Sequence, residues 1–181
     1  MDVSSILINT KNPNAVVKQV RTFLDSPGVE DIINKKSYSE IETKIRQLPL
    51  GWQAIGLLWA ILRDTFGESE ILEDLEHIPD GFYAYNNING GGADFSYYNI
   101  KYIGNNAFYK SNLDNVEIPK SCTEIKDRAF CDLECSELVL KYNGTKKEWR
   151  SVKKAATIFN DNYSVRYNVT IVCSDEMWTR Y

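Results

Sequence analysis

The chain has 181 residues, 43% of them hydrophobic and 25% charged, so it can bury a sizeable core and disorder is not the default. A formal charge of -4 and a pI near 5.1 exclude a protein that binds phosphate backbones through its net charge. The charge is uneven: residues 1–80 carry eight Lys/Arg against thirteen Asp/Glu, and residues 81–181 carry thirteen against twelve, so the acidic half comes first.

Met1 to Asn14 offers neither the basic n-region nor the apolar h-region of a secretory signal, and no stretch approaches the apolar run of a membrane span. The expectation is a cytoplasmic protein. Cys122, Cys131, Cys135 and Cys173 then read as buried free thiols rather than disulfides.

From Asn12 to Glu76 apolar residues recur at helical spacing. Val16, Val17, Val20, Phe23 and Leu24 form one stripe, opened by Asn12-Pro13 and stopped by Ser26-Pro27-Gly28. A brief helix follows from Val29 to Ile33. A third opens on Ser37-x-x-Glu40, a capping-box pattern, carries Ile41, Ile45 and Leu48, and closes at Pro49. Gly51 to Phe66 is apolar nearly all round, which places it at the centre of its domain with Trp52 and Trp59 as core residues. An acidic turn, Glu68 to Glu76, leads to Ile78-Pro79.

Beyond this point the periodicity changes. Ile103-Gly104-Asn105-Asn106-Ala107-Phe108 is echoed 22 residues later by Ile125-Lys126-Asp127-Arg128-Ala129-Phe130. At the same offset Leu113 answers Cys135, Val116 answers Leu138 and Ile118 answers Leu140. Such a period, with alternating apolar positions and a bulky Phe between them, predicts one strand and one turn or short helix per repeat, stacked as a solenoid.

The unit Ile100-x-x-Ile103-Gly104-x-x-Ala107-Phe108, followed by Leu113-x-x-Val116-x-Ile118-Pro119, resembles the BspA-like leucine-rich repeat of bacterial proteins. Ile78-Pro79-Asp80-Gly81-Phe82 is similar to the end of an earlier, eroded unit. Tyr142 to Trp149, running on to Thr170–Asp175, resembles the segment that closes such repeats. The resemblance covers about residues 77–175. It implies an α+β chain: a helical domain (1–76) capping a short leucine-rich-repeat module (77–140), closed by a helix–strand segment (141–181). Members of the family are commonly long, exported and adhesive. This chain is short and shows no export signal, so an adhesin role is not carried over. The run from Asn86 to Tyr98, NNINGGGADFSYY, reads as an insertion where a regular turn would lie.

Chemistry is sparse. His77 is the only histidine and lies in no nucleophile frame, Cys131-x-x-x-Cys135 lacks a second ligand pair, and Gly90-Gly91-Gly92 lacks the Lys-Ser/Thr and helix of a phosphate loop. No cofactor or metal is expected. Two surfaces stand out. Tyrosines beside Asn and Gly suit a binding surface, which nominates Tyr83, Tyr85, Tyr97 and Tyr98 for partner contact. Lys146, Lys147, Arg150, Lys153 and Lys154 form a basic segment that would serve a nucleic-acid contact if it is more than a solvated face.

The leading expectation is therefore a non-catalytic module that binds protein. Its narrower form is an inhibitor from a phage or mobile element, acting on a nucleoprotein host-defence complex such as a CRISPR nuclease. The rival is a nucleic-acid-binding protein led by the basic segment, and the third class an enzyme whose site one sequence hides.

Overall fold

The computed structural model describes residues 12–88, 91–159 and 167–180, so the reading of Met1 to Lys11 lies outside the described residues. Five helices come first: α1 (Pro13–Leu24), α2 (Val29–Asn34), α3 (Tyr38–Gln47), α4 (Trp52–Phe66) and α5 (Glu68–Leu75). The side chain of Asn12 accepts from the Ala15 amide at 3.1 Å, with Pro13 in the first turn, as the sequence predicts. The capping box at Ser37 does not form. The Ser37 hydroxyl donates to the Glu40 carboxylate at 2.8 Å and no side-chain cap bond reaches the backbone.

Helix α4 is the hub. Ala54 to Ala60 are all buried and Trp59 is 0% exposed, its ring 5.2 Å from that of Phe82. A helix apolar on most of its circumference needs cover on more than one side. Here α1 packs on α4, and the chain at Phe82–Ala84 meets α4 elsewhere. Gly56 makes that second approach possible: a Cβ there would stand 1.9 Å from the Ala84 carbonyl oxygen.

The second half builds two sheets. β2 (Tyr102–Ile103), β4 (Glu124–Ile125) and β6 (Lys153–Lys154) pair in parallel, and Ile78 bridges Ile103 in the same sense. The eroded unit at Ile78 is thus a working rung. The other sheet runs β1 (Gly92–Asp94), β3 (Asn115–Ile118), β5 (Glu137–Tyr142) and β7 (Asn168–Cys173), all parallel, with β8 (Met177–Arg180) returning antiparallel. A helix, α6 (Lys146–Ser151), lies between β5 and β6.

Two expectations are corrected here. The run after Asn86 is not an insertion, because Gly92 to Asp94 pair with Asn115 to Glu117 as the first strand of the larger sheet. The 22-residue offset holds at Ile103 and Ile125 but becomes 24 in the larger sheet, where Val116 pairs with Leu140 and Ile118 with Tyr142. The turn after Phe130 is two residues longer than its counterpart after Phe108. A shift of two preserves the face, so Val116, Ile118, Leu138, Leu140 and Tyr142 all stay buried.

Each turn between the sheets uses the left-handed backbone region twice. Gly81, Asn106 and Arg128 share one such position (φ 67°, 51° and 57°), and Tyr85, Lys110 and Asp132 share the other (φ 59°, 53° and 54°). Left-handed backbone costs non-glycine residues of order 1 kcal/mol. Rung-to-rung bonds from the amides of Tyr85 to Tyr109 O (2.8 Å), Asn106 to Asp127 O (3.0 Å) and Lys110 to Cys131 O (3.2 Å) offset it. Between these positions one aromatic per turn stacks on the next. Tyr83, Phe108 and Phe130 lie nearly parallel at 5.2 Å spacing, and Phe159 follows 6.1 Å from Phe130.

A single core runs from Val16 to Cys173 through helices and strands alike. Polar groups pin the junction. Arg63, 5% exposed, donates to the Phe82 carbonyl and to Asn86 Oδ1 (2.7 Å), and its guanidinium lies over the Tyr83 ring at 4.2 Å.

Candidate interaction surface

The four nominated tyrosines do not form one patch. Tyr83 is 2% exposed, held in the aromatic stack beneath Arg63, so burial removes it as a contact residue. Tyr85 is half-buried on the turn before β1, edge-on to Tyr109 at 5.5 Å with Lys110 beside both rings. Tyr97 and Tyr98 lie on the turn after β1. Tyr98 packs against the core, its phenol pushed up by burial and then by Glu68, while Tyr97 is 89% exposed.

The basic segment is largely occupied. Lys146 pairs with Glu176, Lys153 with Glu124 at 2.6 Å, and Lys154 donates to the carbonyls of Trp149 and Val152 at 2.6 Å each while lying over the Trp149 ring. Lys147 and Arg150 are exposed on α6. Glu148, within the same helix, completes a capping box with Thr145 and meets Lys120 at 2.7 Å. These bonds hold its carboxyl down at about 2.

His77 faces Leu75 O and Glu42 and stacks on Tyr102 at 4.3 Å, a structural setting at the helix–repeat junction. All four cysteines are free; burial pushes the Cys122 thiol up to about 12. Among the described residues no group of three His, Cys, Asp or Glu could hold a metal, and no helix is long and apolar enough to cross a membrane.

One broad surface was not nominated from the sequence: the outward side of the larger sheet. Register places Gly92, Asn115, Val139 and Thr170 in one row across β1, β3, β5 and β7, with Asp94, Glu117, Lys141 and Val172 in the next. Lys141 bonds Glu117 at 2.9 Å, and Thr170 donates to Glu137 at 3.1 Å. Where β3 and β5 begin, the sheet opens into a hollow of about 810 Å³ lined by residues including Asp114, Asn115, Glu134, Glu137 and Val139. Outward and inward residues alternate along a strand, so this surface becomes legible only once register is known.

Residues 67–155 match the family described as BspA type Leucine rich repeat region (6 copies). The repeat half is a BspA-type leucine-rich-repeat segment. The match begins just before α5, earlier than Ile78, and ends at the close of β6. No curated protein and no solved structure matches the chain. BspA-type repeats are typically non-catalytic, and their presence points to a protein-interaction module.

Proposed function

We propose that the chain binds a protein partner through the outward side of the sheet β1-β3-β5-β7, with Tyr97 at its rim. The observation that carries this reading is the make-up of that side. Gly92 and Asn115 are small or uncharged, Val139 and Val172 are half-buried, and the hollow beside Val139 leaves room for a partner's side chains. A partly apolar patch with a polar rim and an exposed aromatic is the usual anatomy of a protein interface.

On the same reading the parallel rungs form a short solenoid. Residues 1–76 cap its first rung through Trp59, Arg63 and Glu42, and residues 141–181 extend both sheets before β8 closes the larger one. The narrower reading, an inhibitor of a nucleoprotein defence complex, would engage that complex by its protein component. Lys146, Lys153 and Lys154 already serve acceptors within the chain, which favours the sheet over the basic segment as the contact.

The test is site-specific photo-crosslinking in the cells that make the protein. Benzoylphenylalanine at Val139 or Tyr97 should give discrete protein adducts, and the same group at Glu30 on α2 should give none. Adducts confined to Glu30, or none at either sheet position, would remove the reading.

A further inference from the structure

We infer that the partner adds an extended segment of its own chain to the open edge of β1, as one more strand of the larger sheet. The inference rests on the protein-binding reading and deepens it by naming the form in which the partner is met.

The helical half covers the first rung unevenly. Ile78, Phe82 and Ala84 are all 0% exposed, the last two against α4. β1 is left open: it pairs with β3 on one side only, and Gly92 and Asp94 are exposed. The ladder toward β3 reaches past the three strand residues, because the Asp114 amide donates to Gly91 O at 2.8 Å and the Phe95 amide to Glu117 O at 2.9 Å. Backbone groups alternate in direction along a strand, so the carbonyl of Gly92 and the amide and carbonyl of Asp94 point away from β3. These three groups have no hydrogen-bond partner among the described residues.

Only an extended backbone offers donors and acceptors at the spacing of a strand edge, and proteins otherwise cover, charge or bend such an edge. A second copy of the chain fits it poorly. Two three-residue edges joined together fall far short of the roughly 1,200–2,000 Å² that a stable interface buries. A partner's longer segment runs on past β1, where Tyr97, 89% exposed, stands three residues beyond the strand. Gly92 leaves room beside it: a Cβ there would meet only Asn115 O, at 4.0 Å, so a bulky side chain of the added strand can lie across it.

The experiment is an NMR hydrogen-exchange titration of the full chain with acetyl-Thr-Lys-Val-Tyr-Val-Lys-Thr-amide, whose palindromic order presents the same side chains whichever way the strand runs. Its control is the same peptide N-methylated at the three central residues, which keeps every side chain and charge but removes the central donors. The first peptide should slow exchange of the Asp94 amide at least about tenfold at saturation and shift the amides from Gly92 to Tyr97, and the methylated form should do neither. Asp94→Pro deletes the outward donor without touching the bonds to β3, and should weaken peptide binding at least about fivefold. Unchanged amide shifts in β5 and β7 check that variant's fold, and the methylated control decides the matter on the unaltered chain should that check fail.

Equal response to both peptides, protection on β8 in place of β1, undiminished binding in folded Asp94→Pro, or no protection of Asp94 up to about 5 mM peptide would overturn the inference. So would slowing of the Asp94 exchange with protein concentration alone, which would make a second copy of the chain the occupant. Tyr97 adducts that form in Asp94→Pro as they do in the unaltered chain would remove strand addition and leave protein binding standing, whereas absent adducts in the unaltered chain remove the parent reading.

Discussion

His77 Nε2 lies 3.1 Å from each carboxylate oxygen of Glu42, while Nδ1 of the same ring lies 2.7 Å from the Leu75 carbonyl. Both residues are buried, and the bond ties α3 to the chain just before the first rung. Glu42 is held a second time by Arg46 at 2.7 Å, and Arg46 reaches Asp80 at 3.4 Å. The junction is therefore fastened by a polar chain at its edge and by Trp59 against Phe82 at its centre.

Removing Glu42 leaves the buried His77 ring without its carboxylate partner. Glu42→Leu should destabilise the protein by about 3 kcal/mol, since a broken buried pair costs more than the pair's net worth. Urea unfolding followed by circular dichroism measures it. A loss no larger than that of an exposed control such as Glu30→Leu would show that the junction does not depend on this pair.

Gly56 supplies a test of sign. In an ordinary helix interior Gly→Ala stabilises by about 1 kcal/mol. Here the added methyl would stand 1.9 Å from the Ala84 carbonyl oxygen, so Gly56→Ala should destabilise and lower the thermal midpoint. A raised midpoint would show that α4 does not press on the first rung.

The aromatic column predicts a strongly graded series. Phe108 is fully buried between Tyr83 and Phe130, and Phe108→Ala should lose about 3–5 kcal/mol by leaving a cavity with stacked rings on both sides. Phe108→Leu should lose much less. Similar losses for the two, read from chemical denaturation, would argue that ring stacking, not the volume filled, carries the contribution of Phe108.

Acid should act through Glu148. Its carboxyl is held down at about 2, chiefly by Lys120 and by the amide and hydroxyl of Thr145, against an ordinary value of 4.5. A lowered folded-state value contributes stability that is fully present above 4.5 and is lost as pH falls toward 2. The gap in thermal midpoint between wild type and Glu148→Gln should accordingly stay constant at neutral pH and close across that acid window. A gap that does not change with pH would mean the capping box contributes through shape alone.

Lys154 separates the structural role of the basic segment from a nucleic-acid role. Its ammonium bonds two carbonyls at 2.6 Å and lies 4.6 Å from the Trp149 ring, so Lys154→Met should destabilise by about 1–2 kcal/mol. Lys147→Met, on the exposed face of α6, should be near neutral. The reverse order in thermal melts would return the segment to solvent and to the nucleic-acid reading.

Much of the architecture was legible in the residues because local chemistry decides it. Asn12-Pro13 starts α1 whatever lies around it, and the echo of Ile103–Phe108 at Ile125–Phe130 reports a repeated rung. The apolar circumference of Gly51–Phe66 likewise required a central helix. The tertiary structure alone decided how the rungs align. The two extra residues after Phe130 move the larger sheet to an offset of 24, and Gly92–Asp94 becomes a strand because β3 offers it a partner, not because its own residues favour one. The candidate surface belongs to this second category. Asp114, Asn115, Glu134 and Val139 are scattered along the chain and converge only through register, and Tyr83 turned inward because its turn position is the one that stacks on Phe108. Side-chain chemistry is written in sequence, but which side chains share a face is set by pairing between strands far apart in the chain.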